Sequence, residues 1–292
     1  MDHLYSTQRV VVTDSGPASL LMKELSATNV VELLGPLLKR THWMLAFDRD
    51  GTLAPFTEDP EHSFVNELSV KGLSALAQMP NVTVAIVSAR ATAKLLSDFG
   101  HNNLIVAGNY GSEILFPHGL KWTDHESASR RPQLKRAKDA LCLAIAPACN
   151  IILEDHGFSL CLHFHKTPKK YLSQVFNAVL KVGQQEKEII IRRLETSFEF
   201  MPPGHCDKAS ALNTIQSLLP PLNKNDVFYL FAGDSDGDEP AFRWVVERGG
   251  VAFNVGPPRH CSAQYQLKSP DVAAEIIQEL LAFRRATCPF NN

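Results

Sequence analysis

Two aspartates lie one residue apart at the end of an apolar run, in the segment Phe47-Asp48-Arg49-Asp50-Gly51-Thr52-Leu53. Side chains alternate along an extended chain, so Asp48 and Asp50 come off the same side while Arg49 points away. Carboxylates this close repel each other unless a cation lies between them. Mg²⁺ suits such a pair because it prefers oxygen ligands. A surface turn is the plainer interpretation, because Asp-Gly is a common turn dipeptide.

A second acidic segment follows another apolar run of strand length. The run Val227 to Ala232 ends in Gly233-Asp234-Ser235-Asp236-Gly237-Asp238-Glu239. Open α/β sheets bind ligands just beyond the carboxyl ends of their strands. The similar position of the two acidic segments therefore predicts one site, in which acids from separate strand ends share a cation.

Four short motifs, in this order, resemble those of the haloacid dehalogenase-like phosphatases. They are the segment Asp48 to Thr52, Ser88 after the apolar run Val82 to Val87, Lys208, and the segment Gly233 to Asp238. Each falls at a predicted strand or helix end, which is the context that a motif match requires. The resemblance implies Mg²⁺-dependent phosphoryl transfer through an aspartyl-phosphate.

The resemblance also implies a role for each matched aspartate. Asp48 attacks phosphorus, and Asp50 first protonates the leaving oxygen and later activates water. This double role of Asp50 requires a pKa raised toward the working pH. Mg²⁺ is bound by the Asp48 and Asp234 carboxylates and by the Asp50 backbone carbonyl. Asp238 is either a further ligand of the ion or contacts the ligand residues and holds them in position.

Lys208 and Ser88 complete the implied catalytic set. Lys208 offsets the charge of Asp48 and the phosphate, and Ser88 donates a hydrogen bond to a phosphate oxygen. Ser88 also fits a plainer role as the N-cap of the helix predicted after Ala89-Arg90. The expected phosphate contacts are Thr52, Ser88, Ala89 and Lys208.

The composition argues against nucleic-acid and membrane partners. The chain has 292 residues and a net charge of −2, with its lysines and arginines in short scattered clusters. It contains no apolar run of membrane length, and Met1-Asp2-His3-Leu4 lacks the features of a signal peptide. We expect a cytoplasmic monomer that binds a small molecule. The six cysteines lack zinc-type spacing, so reduced and mostly buried thiols are expected.

Apolar periodicity predicts alternating strands and helices around the motifs. Helices are predicted near 18–39, at 66–79, 91–99 and 271–284, and from Asp207 onward, with strands at 43–47, 82–87, 104–107, 227–231 and 251–255. This alternation predicts an α/β fold with a Rossmann-like parallel sheet. The pattern changes in between, where strands are expected at 150–154, 158–163, 189–193 and 197–201, helices at 128–146 and 168–187, and a hairpin around 117–119.

Strand pairs with helices between them predict a separate antiparallel α/β layer. In the haloacid dehalogenase-like phosphatases, such an insert is a cap that excludes water and contacts the unreactive part of the substrate. We therefore expect a cap domain of an antiparallel sheet and two helices at 115–204. It would be inserted between the core segments 1–114 and 205–292.

Sequence patterns over roughly residues 44–255 are similar to those of trehalose-6-phosphate phosphatases. Residues 108–113, Gly-Asn-Tyr-Gly-Ser-Glu, resemble the pattern Gly-x-His-Gly-x-Glu. Residues 153–165 resemble Val-Glu-x-Lys-x-x-x-Leu-x-x-His-Tyr-Arg, and residues 199–204 resemble Glu-Val-Arg-Pro-x-Gly. The implied contacts to sugar hydroxyls are Glu154, His163, His165 and Glu199, with Asn109, Tyr110 and Glu113 nearby.

Several positions depart from these patterns. Arg49 replaces an aromatic residue and Ala89 a glycine, while His156, His165 and Met201 stand where cations are common. The matched catalytic residues are unaffected, but the sugar-facing set has lost up to three cations. A mismatch to one substrate hydroxyl changes binding by about 1–3 kcal/mol, enough to redirect preference among disaccharide phosphates.

The predicted function is Mg²⁺-dependent hydrolysis of a sugar phosphate monoester, with trehalose 6-phosphate as the first candidate. A related substrate stays open, such as a glucosylglycerol, glucosylglycerate or mannosylglycerate phosphate or a trehalose-like pseudosugar phosphate. A phosphomutase would return the phosphoryl group to a sugar, and a sensor would bind the ester without turnover. The presence of all four motifs favours catalysis over sensing.

Overall fold

A computed structural model of the protein describes residues 22–57, 62–100, 102–204, 206–221 and 223–288. The predictions for residues 1–21, which include the first part of the helix expected near 18–39 and the signal-peptide argument, lie outside these residues. In the described residues the strands are β1 (Lys23–Glu24), β2 (His42–Phe47), β3 (Val82–Val87), β4 (Ile105–Gly108), β5 (Glu113–Leu115), β6 (Lys121–Thr123), β7 (Ile152–Asp155), β8 (Leu160–His163), β9 (Ile190–Arg193), β10 (Ser197–Met201), β11 (Val227–Gly233), β12 (Val251–Val255) and β13 (Tyr265–Leu267).

The larger sheet contains nine of these strands in the order β1-β13-β12-β11-β2-β3-β4-β5-β6. All neighbours from β1 through to β4 run parallel. Every residue of β11 is buried, and so is nearly all of β2. Continuous apolar strands are typical of parallel sheets that are covered on both faces. The predicted α/β fold with a parallel core sheet is confirmed.

Helices cover both faces of the larger sheet and one face of the smaller sheet. They are α1 (Val30–Leu38), α2 (Glu67–Ala77), α3 (Thr92–Phe99), α4 (His125–Ser129), α5 (Arg131–Ala144), α6 (Leu172–Gln185), α7 (Lys208–Leu218), α8 (Glu239–Val246) and α9 (Pro270–Thr287). On β2, Leu45 and Phe47 pack toward α1, α2, α3 and α9. Met44 and Ala46 pack toward α7 and α8 on the other face. This alternation follows from the two-residue period of a strand.

The smaller sheet is antiparallel, with the order β7-β8-β10-β9. One of its faces packs against α5 and α6 around a separate apolar cluster that includes Leu141, Leu162, Val179 and Phe200. The predicted antiparallel sheet with two helices is confirmed. The other face of this sheet is polar and carries the residues described below.

The β5–β6 hairpin belongs to the larger sheet, although the insert was predicted to begin at residue 115. β5 pairs antiparallel with β4, with Gly108 opposite Glu113, and Ile114 is buried in the core. The hairpin itself was predicted correctly. Its turn sequence, however, carries no information about which sheet edge the hairpin joins. Sheet membership therefore assigns residues 113–123 to the larger unit.

Three elements, β1, β13 and α8, were not predicted from the sequence. The two strands are only two and three residues long, too short for an alternation to be recognised. Among the described residues, no helix combines the length and apolar character needed to cross a membrane. The six cysteines are unpaired, and only Cys149 and Cys161 are buried. The expectation of mostly buried thiols is therefore wrong.

Candidate active site

The two acidic segments meet at the carboxyl edge of the larger sheet. β2 and β11 are parallel neighbours with Phe47 opposite Ala232, so the residues that follow each strand leave the sheet side by side. Ligand oxygens of Asp48, Asp234 and Asp238 all lie within 4.8 Å of one another. The acids from the two strand ends therefore form one cluster, as was expected from the sequence.

The turn after Asp50 approaches Asp234 closely. Gly51 has a φ of 75°, in the left-handed region that favours glycine, and a Cβ at this position would overlap the Asp234 carboxylate. The buried Thr52 hydroxyl donates to Asp234 Oδ1 at 3.4 Å. Thr52, expected as a phosphate contact, thus directs its hydroxyl to a carboxylate here.

Lys208 is the first residue of α7, and its side chain enters the acidic cluster. Its Nζ lies 2.9 Å from Asp48 Oδ2 and 2.5 Å from Asp238 Oδ1. Reciprocal hydrogen bonds between Asp207 and Ser210 cap the helix and fix the position at which it begins. Burial lowers the pKa of Lys208, but its carboxylate partners raise it more, so the net pKa lies above the usual range. Lys208 is therefore a fixed cation.

The pKa values of Asp48 and Asp234 are both raised. Burial raises the pKa of Asp48 most, and the neighbouring carboxylates raise it further against the opposing effect of Lys208. Burial also raises the pKa of Asp234, followed by the charges of Asp48 and Asp238. A single lysine does not balance this negative charge. A divalent cation would favour the ionised carboxylates.

Asp238 holds the acidic loop in shape. Its Oδ2 accepts hydrogen bonds from the backbone N–H groups of Asp234 and Ser235 and from the Ser235 hydroxyl. Its Oδ1 accepts a hydrogen bond from Lys208. Because both oxygens are engaged, the geometry favours support of Asp234 over direct ligation, two roles that the sequence left open. Gly233 is needed beneath this carboxylate, because a Cβ there would overlap Asp238.

Asp50 is bound by two arginines. Arg90 donates from Nε to Oδ2 at 2.9 Å and from Nη2 to Oδ1 at 3.1 Å, and Arg49 Nη1 lies 2.5 Å from Oδ1. Burial raises the pKa of Asp50, but the hydrogen bonds and charges of Arg90 and Arg49 lower it more. The net pKa is below its usual value. The raised pKa expected for an acid–base residue is therefore wrong for this arrangement.

Arg49 was expected to point away from the acids, yet it contacts Asp50. Strand alternation ends with Phe47, the last residue of β2, so it does not govern the turn that follows. The fully buried Arg49 also donates to Asp98 of α3 at 2.7 Å and to the Ser63 carbonyl at 2.5 Å. These contacts explain a cation at a position where the related patterns have an aromatic residue.

Ser88 follows β3 at the same edge of the sheet, next to the end of β2. It is buried, and its Oγ accepts a hydrogen bond from the Arg90 backbone N–H at 3.3 Å. The N-cap of α3 is Ala91, without a side-chain hydrogen bond, so the N-cap interpretation of Ser88 is wrong. Ala89 lies partly exposed in the turn between Ser88 and Arg90.

Polar residues form a row across one face of the smaller sheet, which we call the polar row. Glu154 on β7 lies opposite Cys161 on β8, and Cys161 lies opposite Glu199 on β10. Glu199 in turn lies opposite Arg192 on β9. His163 is two residues from Cys161 and so shares its face.

Two glutamates of the polar row contact the larger unit. Glu154 Oε1 accepts a hydrogen bond at 2.7 Å from Nη1 of Arg90, the arginine that also binds Asp50. Glu199 Oε1 accepts a hydrogen bond from the Tyr110 hydroxyl, also at 2.7 Å. The second oxygen of Glu199 is buried and has no hydrogen-bond partner within the part of the chain that the structure describes. The polar row is thus linked to Asp50 through Arg90.

Asn109 and Tyr110 form the turn after β4 with φ angles of 51° and 57°. Left-handed residues other than glycine are uncommon, and strained backbone often marks functional sites. Their backbone N–H groups donate to the carbonyls of Arg90 and Ser88, both at 2.9 Å. Asn109 Oδ1 accepts a hydrogen bond from Ser159 of the smaller unit at 3.4 Å. This turn therefore joins the turn after β3 to the smaller unit.

The three other predicted sugar contacts, His163, His165 and Glu113, lie in different surroundings. His163 Nε2 lies 2.8 Å from Glu154 Oε2, within the polar row. His165 is exposed, with its ring 6.0 Å from that of His163. Glu113 accepts a hydrogen bond from Thr92 at the start of α3, and its other oxygen pairs with a lysine of β6. Both oxygens of Glu113 are thus engaged within the larger unit.

Arg90, His156 and Cys161 lie in or beside the site but were given no role from the sequence. Arg90 had a usable signal, because a cation two residues after Ser88 would lie within the predicted phosphate-binding turn. Cys161 had none, since its neighbours in the polar row come from other strands. His156 was noted only as a replacement for a lysine.

Comparison with known proteins supports this description. The family model for trehalose-phosphatase matches residues 46–271. Probable trehalose-phosphate phosphatase H from Arabidopsis thaliana is 27% identical over 289 residues, which cover 92% of this chain and 80% of the relative. A trehalose-phosphate phosphatase from Mycobacterium tuberculosis is 26% identical over 238 residues, covering 80% of this chain and 60% of the relative.

Solved structures share the fold at lower identity. The C-terminal domain of trehalose-6-phosphate phosphatase from C. albicans superposes with a TM-score of 0.75 at 17% identity, covering 91% of this chain and 99% of the other. A trehalose-6-phosphate phosphatase related protein gives a TM-score of 0.70 at 16% identity, covering 83% and 99%. A phosphatase of the haloalkanoate (HAD) superfamily from Bacteroides thetaiotaomicron gives 0.51 at 15% identity, covering 83% and 95%.

These comparisons confirm the resemblance found in the sequence. The fold is that of the haloacid dehalogenase-like phosphatases, and the family match spans all four motifs from Asp48 to Asp238. The protein is a phosphoric monoester hydrolase. It belongs to the trehalose-phosphatase family.

Proposed function

We propose that the protein hydrolyses trehalose 6-phosphate to trehalose and phosphate through an aspartyl-phosphate on Asp48, with Mg²⁺ as cofactor. The observation that carries the proposal is the link that Arg90 makes between the acidic cluster and the polar row. A phosphate ester with a polyhydroxylated leaving group needs both regions at once. The names of the Arabidopsis and Mycobacterium relatives support this choice of sugar.

The acidic cluster fits a magnesium ion. Asp48 and Asp234 offer oxygen ligands in a buried group with excess negative charge. These two carboxylates and the Asp50 carbonyl would hold the ion, and Asp238 would keep Asp234 in place. When bound, the ion supplies the positive charge that lets an anionic carboxylate approach an anionic phosphate.

Asp48 is the proposed nucleophile. A bond from its carboxylate oxygen to phosphorus forms while the bond from phosphorus to the sugar oxygen breaks, and water later hydrolyses the aspartyl-phosphate. Lys208, 2.9 Å from the carboxylate, orients it and offsets charge during the transfer. Ser88, buried at the same edge of the sheet, donates a hydrogen bond to a phosphate oxygen.

Asp50 is proposed to carry the proton in both steps. In the second step it takes a proton from water as a carboxylate, the form that Arg90 and Arg49 favour. In the first step it must hold a proton for the leaving sugar oxygen. The negative charge of the arriving phosphate ester raises the pKa of Asp50 and competes for Arg90, so substrate binding itself favours the protonated form.

Glu154 and Glu199 are proposed to accept hydrogen bonds from sugar hydroxyls. Glu199 Oε2 is buried, accepts no hydrogen bond from the described residues and lies 3.7 Å from Arg192 Nη1, so a hydrogen bond from a substrate hydroxyl would be stabilising. His163 orients Glu154 from the side. Asn109 and Tyr110 contact the smaller unit from the larger one, through Ser159 and Glu199.

We also propose that the insert acts as a cap. It contacts the larger unit through Glu154, Ser159 and Glu199, and the partner of Glu154 is Arg90, which also binds Asp50. A closed cap excludes water that would otherwise compete with the substrate hydroxyls. With the hairpin assigned to the larger sheet, the proposed division of the described residues is a core within 22–123 and 206–288 and a cap of residues 124–204.

The test is phosphate release from a panel of esters, with Mg²⁺ and with a chelator. The panel includes trehalose 6-phosphate, glucose 6-phosphate and the phosphates of glucosylglycerol, glucosylglycerate and mannosylglycerate. We expect the highest kcat/KM with trehalose 6-phosphate and loss of turnover on chelation. A higher kcat/KM for another glycosyl phosphate would replace the substrate and keep the reaction. An isomeric sugar phosphate without free phosphate would instead identify a phosphomutase.

A further inference from the structure

Side chains with three different donor atoms converge within the polar row. A carboxylate oxygen of Glu154, Sγ of Cys161 and a ring nitrogen of His163 all lie within 4.8 Å of one another. Glu154 and Cys161 are directly opposite in the β7–β8 ladder, and His163 follows on the same face of β8. The group is thus built on paired strands, which hold ligands more rigidly than loops do.

The turn between β7 and β8 adds a fourth donor atom. His156 Nε2 lies 3.6 Å from Glu154 Oε2, the oxygen that is 2.8 Å from His163 Nε2. His156 Nε2 is buried, and among the described residues it has no hydrogen-bond partner. A buried polar nitrogen without a partner is unfavourable. Because His156 Nε2 faces Glu154, a ligand bound there would contact both side chains.

Two imidazoles, a thiol and a carboxylate are ligands typical of Zn²⁺. Mg²⁺ takes oxygen ligands, so this group and the acidic cluster around Asp48 favour different ions. Bond lengths of about 2.0–2.3 Å place the ligand atoms of a tetrahedral zinc site roughly 3.3–3.7 Å apart. Among Glu154, Cys161 and His163 the ligand atoms are no more than 4.8 Å apart, and Glu154 Oε2 lies 2.8 Å from His163 Nε2 and 3.6 Å from His156 Nε2, so side-chain rotations would bring the four ligands into that range.

We propose a site for a borderline divalent cation of the Zn²⁺ type on the polar row, with the ligands Glu154, His156, Cys161 and His163. Occupation of this site inhibits the enzyme. The cation withdraws Glu154 from Arg90 and from the sugar hydroxyls. The inhibition rests on the proposed function, whereas cation binding does not.

Cation binding replaces a proton on sulfur. The Sγ–H bond of Cys161 breaks, a bond from Sγ to the cation forms, and the proton passes to solvent. Each imidazole binds in its neutral form through Nε2, with its ring proton on Nδ1. Burial raises the pKa of the Cys161 thiol to about 12, so the thiol is protonated at neutral pH before the cation binds. Uptake therefore releases about one proton from Cys161 per ion.

Titration of the reduced full-length protein with Co²⁺ tests the site without using enzymatic activity. Co²⁺ accepts the same ligands as Zn²⁺, and a thiolate ligand produces a charge-transfer absorption that oxygen ligands do not produce. Excess Mg²⁺ occupies the acidic cluster during the titration. We expect a saturable thiolate-to-cobalt band that is absent in Cys161→Ala and that disappears when Zn²⁺ displaces Co²⁺.

Histidine variants and a matched cysteine variant make this test specific. His156→Gln and His163→Gln should each weaken Co²⁺ binding by roughly tenfold or more, because even supporting residues of metal sites have effects of that size. Cys142→Ser should leave the band unchanged, because Cys142 is exposed on α5, on the far side of the smaller sheet. Thermal unfolding checks that each variant is folded, and the two histidine variants serve as the test if Cys161→Ala is not.

The absence of a thiolate band, or a band that Cys161→Ala and both histidine variants leave unchanged, would overturn the proposed site. A separate assay with Mg²⁺ and trehalose 6-phosphate measures inhibition by added Zn²⁺. We expect Zn²⁺ to reduce wild-type activity by at least tenfold and to have a much smaller effect on Cys161→Ala, each relative to its own zinc-free rate. Equal inhibition of both would overturn the inhibitory role. A thiolate band in a protein that hydrolyses no ester of the panel would support the site and contradict the proposed function.

Discussion

Buried carboxylates occur in two regions of this molecule, and the positive charge around them differs. At the edge of the larger sheet, Asp48 and Asp234 have raised pKa values, because burial and mutual repulsion exceed the effect of one lysine. In the polar row, burial also raises the pKa of Glu154. The neighbouring His156 and His163 side chains and the charge of Arg90 lower it more, so its net pKa is below the usual value.

This contrast separates two tasks. A carboxylate cluster with too little positive charge favours binding of a cation, whereas a carboxylate that is already paired can exchange one partner for another. Substrate hydroxyls can replace protein donors at Glu154 and Glu199 without leaving a buried charge unpaired. Arg90 bonds to a carboxylate in each region and so couples them.

The largest expected effect comes from substitution of Asp48 in the acidic cluster at the edge of the larger sheet. Asp48→Asn should reduce kcat for trehalose 6-phosphate by roughly a thousandfold or more, because an amide at this position cannot attack phosphorus to form the acyl-phosphate. Asp236→Asn is the matched control, since this side chain in the neighbouring acidic loop is 95% exposed. Phosphate release with saturating Mg²⁺ measures both. Substantial turnover by Asp48→Asn would remove it as the nucleophile.

The polar row should affect substrate selection rather than the chemistry. Glu154→Gln and Glu199→Gln should each reduce kcat/KM for trehalose 6-phosphate by about 10- to 100-fold, the effect of one lost hydrogen bond from a substrate hydroxyl to a charged group. Hydrolysis of p-nitrophenyl phosphate should change little, because this ester has no sugar to bind. Asp155→Asn on the same strand, next to Glu154, is the control. Equal losses on both esters would indicate a structural role for the glutamates.

Removal of Arg90 should separate the two regions. In Arg90→Gln, Asp50 loses the neighbour that lowers its pKa most, so the pKa of Asp50 should rise. The limb of the kcat against pH profile that reports on Asp50 should move to higher pH. Arg192 Nη1 lies 3.7 Å from Glu199 Oε2. The variant Arg192→Gln therefore tests whether loss of any arginine at the polar row has this effect. An unchanged profile in Arg90→Gln would mean that Arg90 does not set the protonation of Asp50.

The smallest expected effect is on stability. The pKa of Asp234 is raised in the folded protein. In the absence of metal, the contribution of Asp234 to stability therefore falls as the pH rises from its pKa in the unfolded chain to its pKa in the folded protein. Asp234→Asn should therefore stabilise the metal-free protein at pH 8 by about 1–2 kcal/mol. Mg²⁺ should raise the Tm of the wild type more than that of the variant. Thermal unfolding with chelator and with Mg²⁺ measures both, and a destabilised variant that still responds fully to Mg²⁺ would contradict the cluster's role.

The acidic cluster and Lys208 could be predicted largely from the sequence because each of these residues lies next to a strand or helix end. Asp48 follows β2, Asp234 follows β11, and Lys208 begins α7. Apolar runs locate these ends, and parallel strands bring their carboxyl ends to one edge. The pKa of Asp50 could not be predicted in this way, because it depends on where the long side chain of Arg90 lies.

The sequence by itself determined the alternation of strands and helices, the position of the insert in the chain and the residues at the strand ends. These features follow from local apolar periodicity and from turns of a few residues. Only the tertiary structure decided that the β5–β6 hairpin joins the larger sheet and that Arg90 reaches both Asp50 and Glu154. It also decided that Glu154, Cys161 and Glu199 form one row, because strand register and long side chains bring together residues that no local pattern relates.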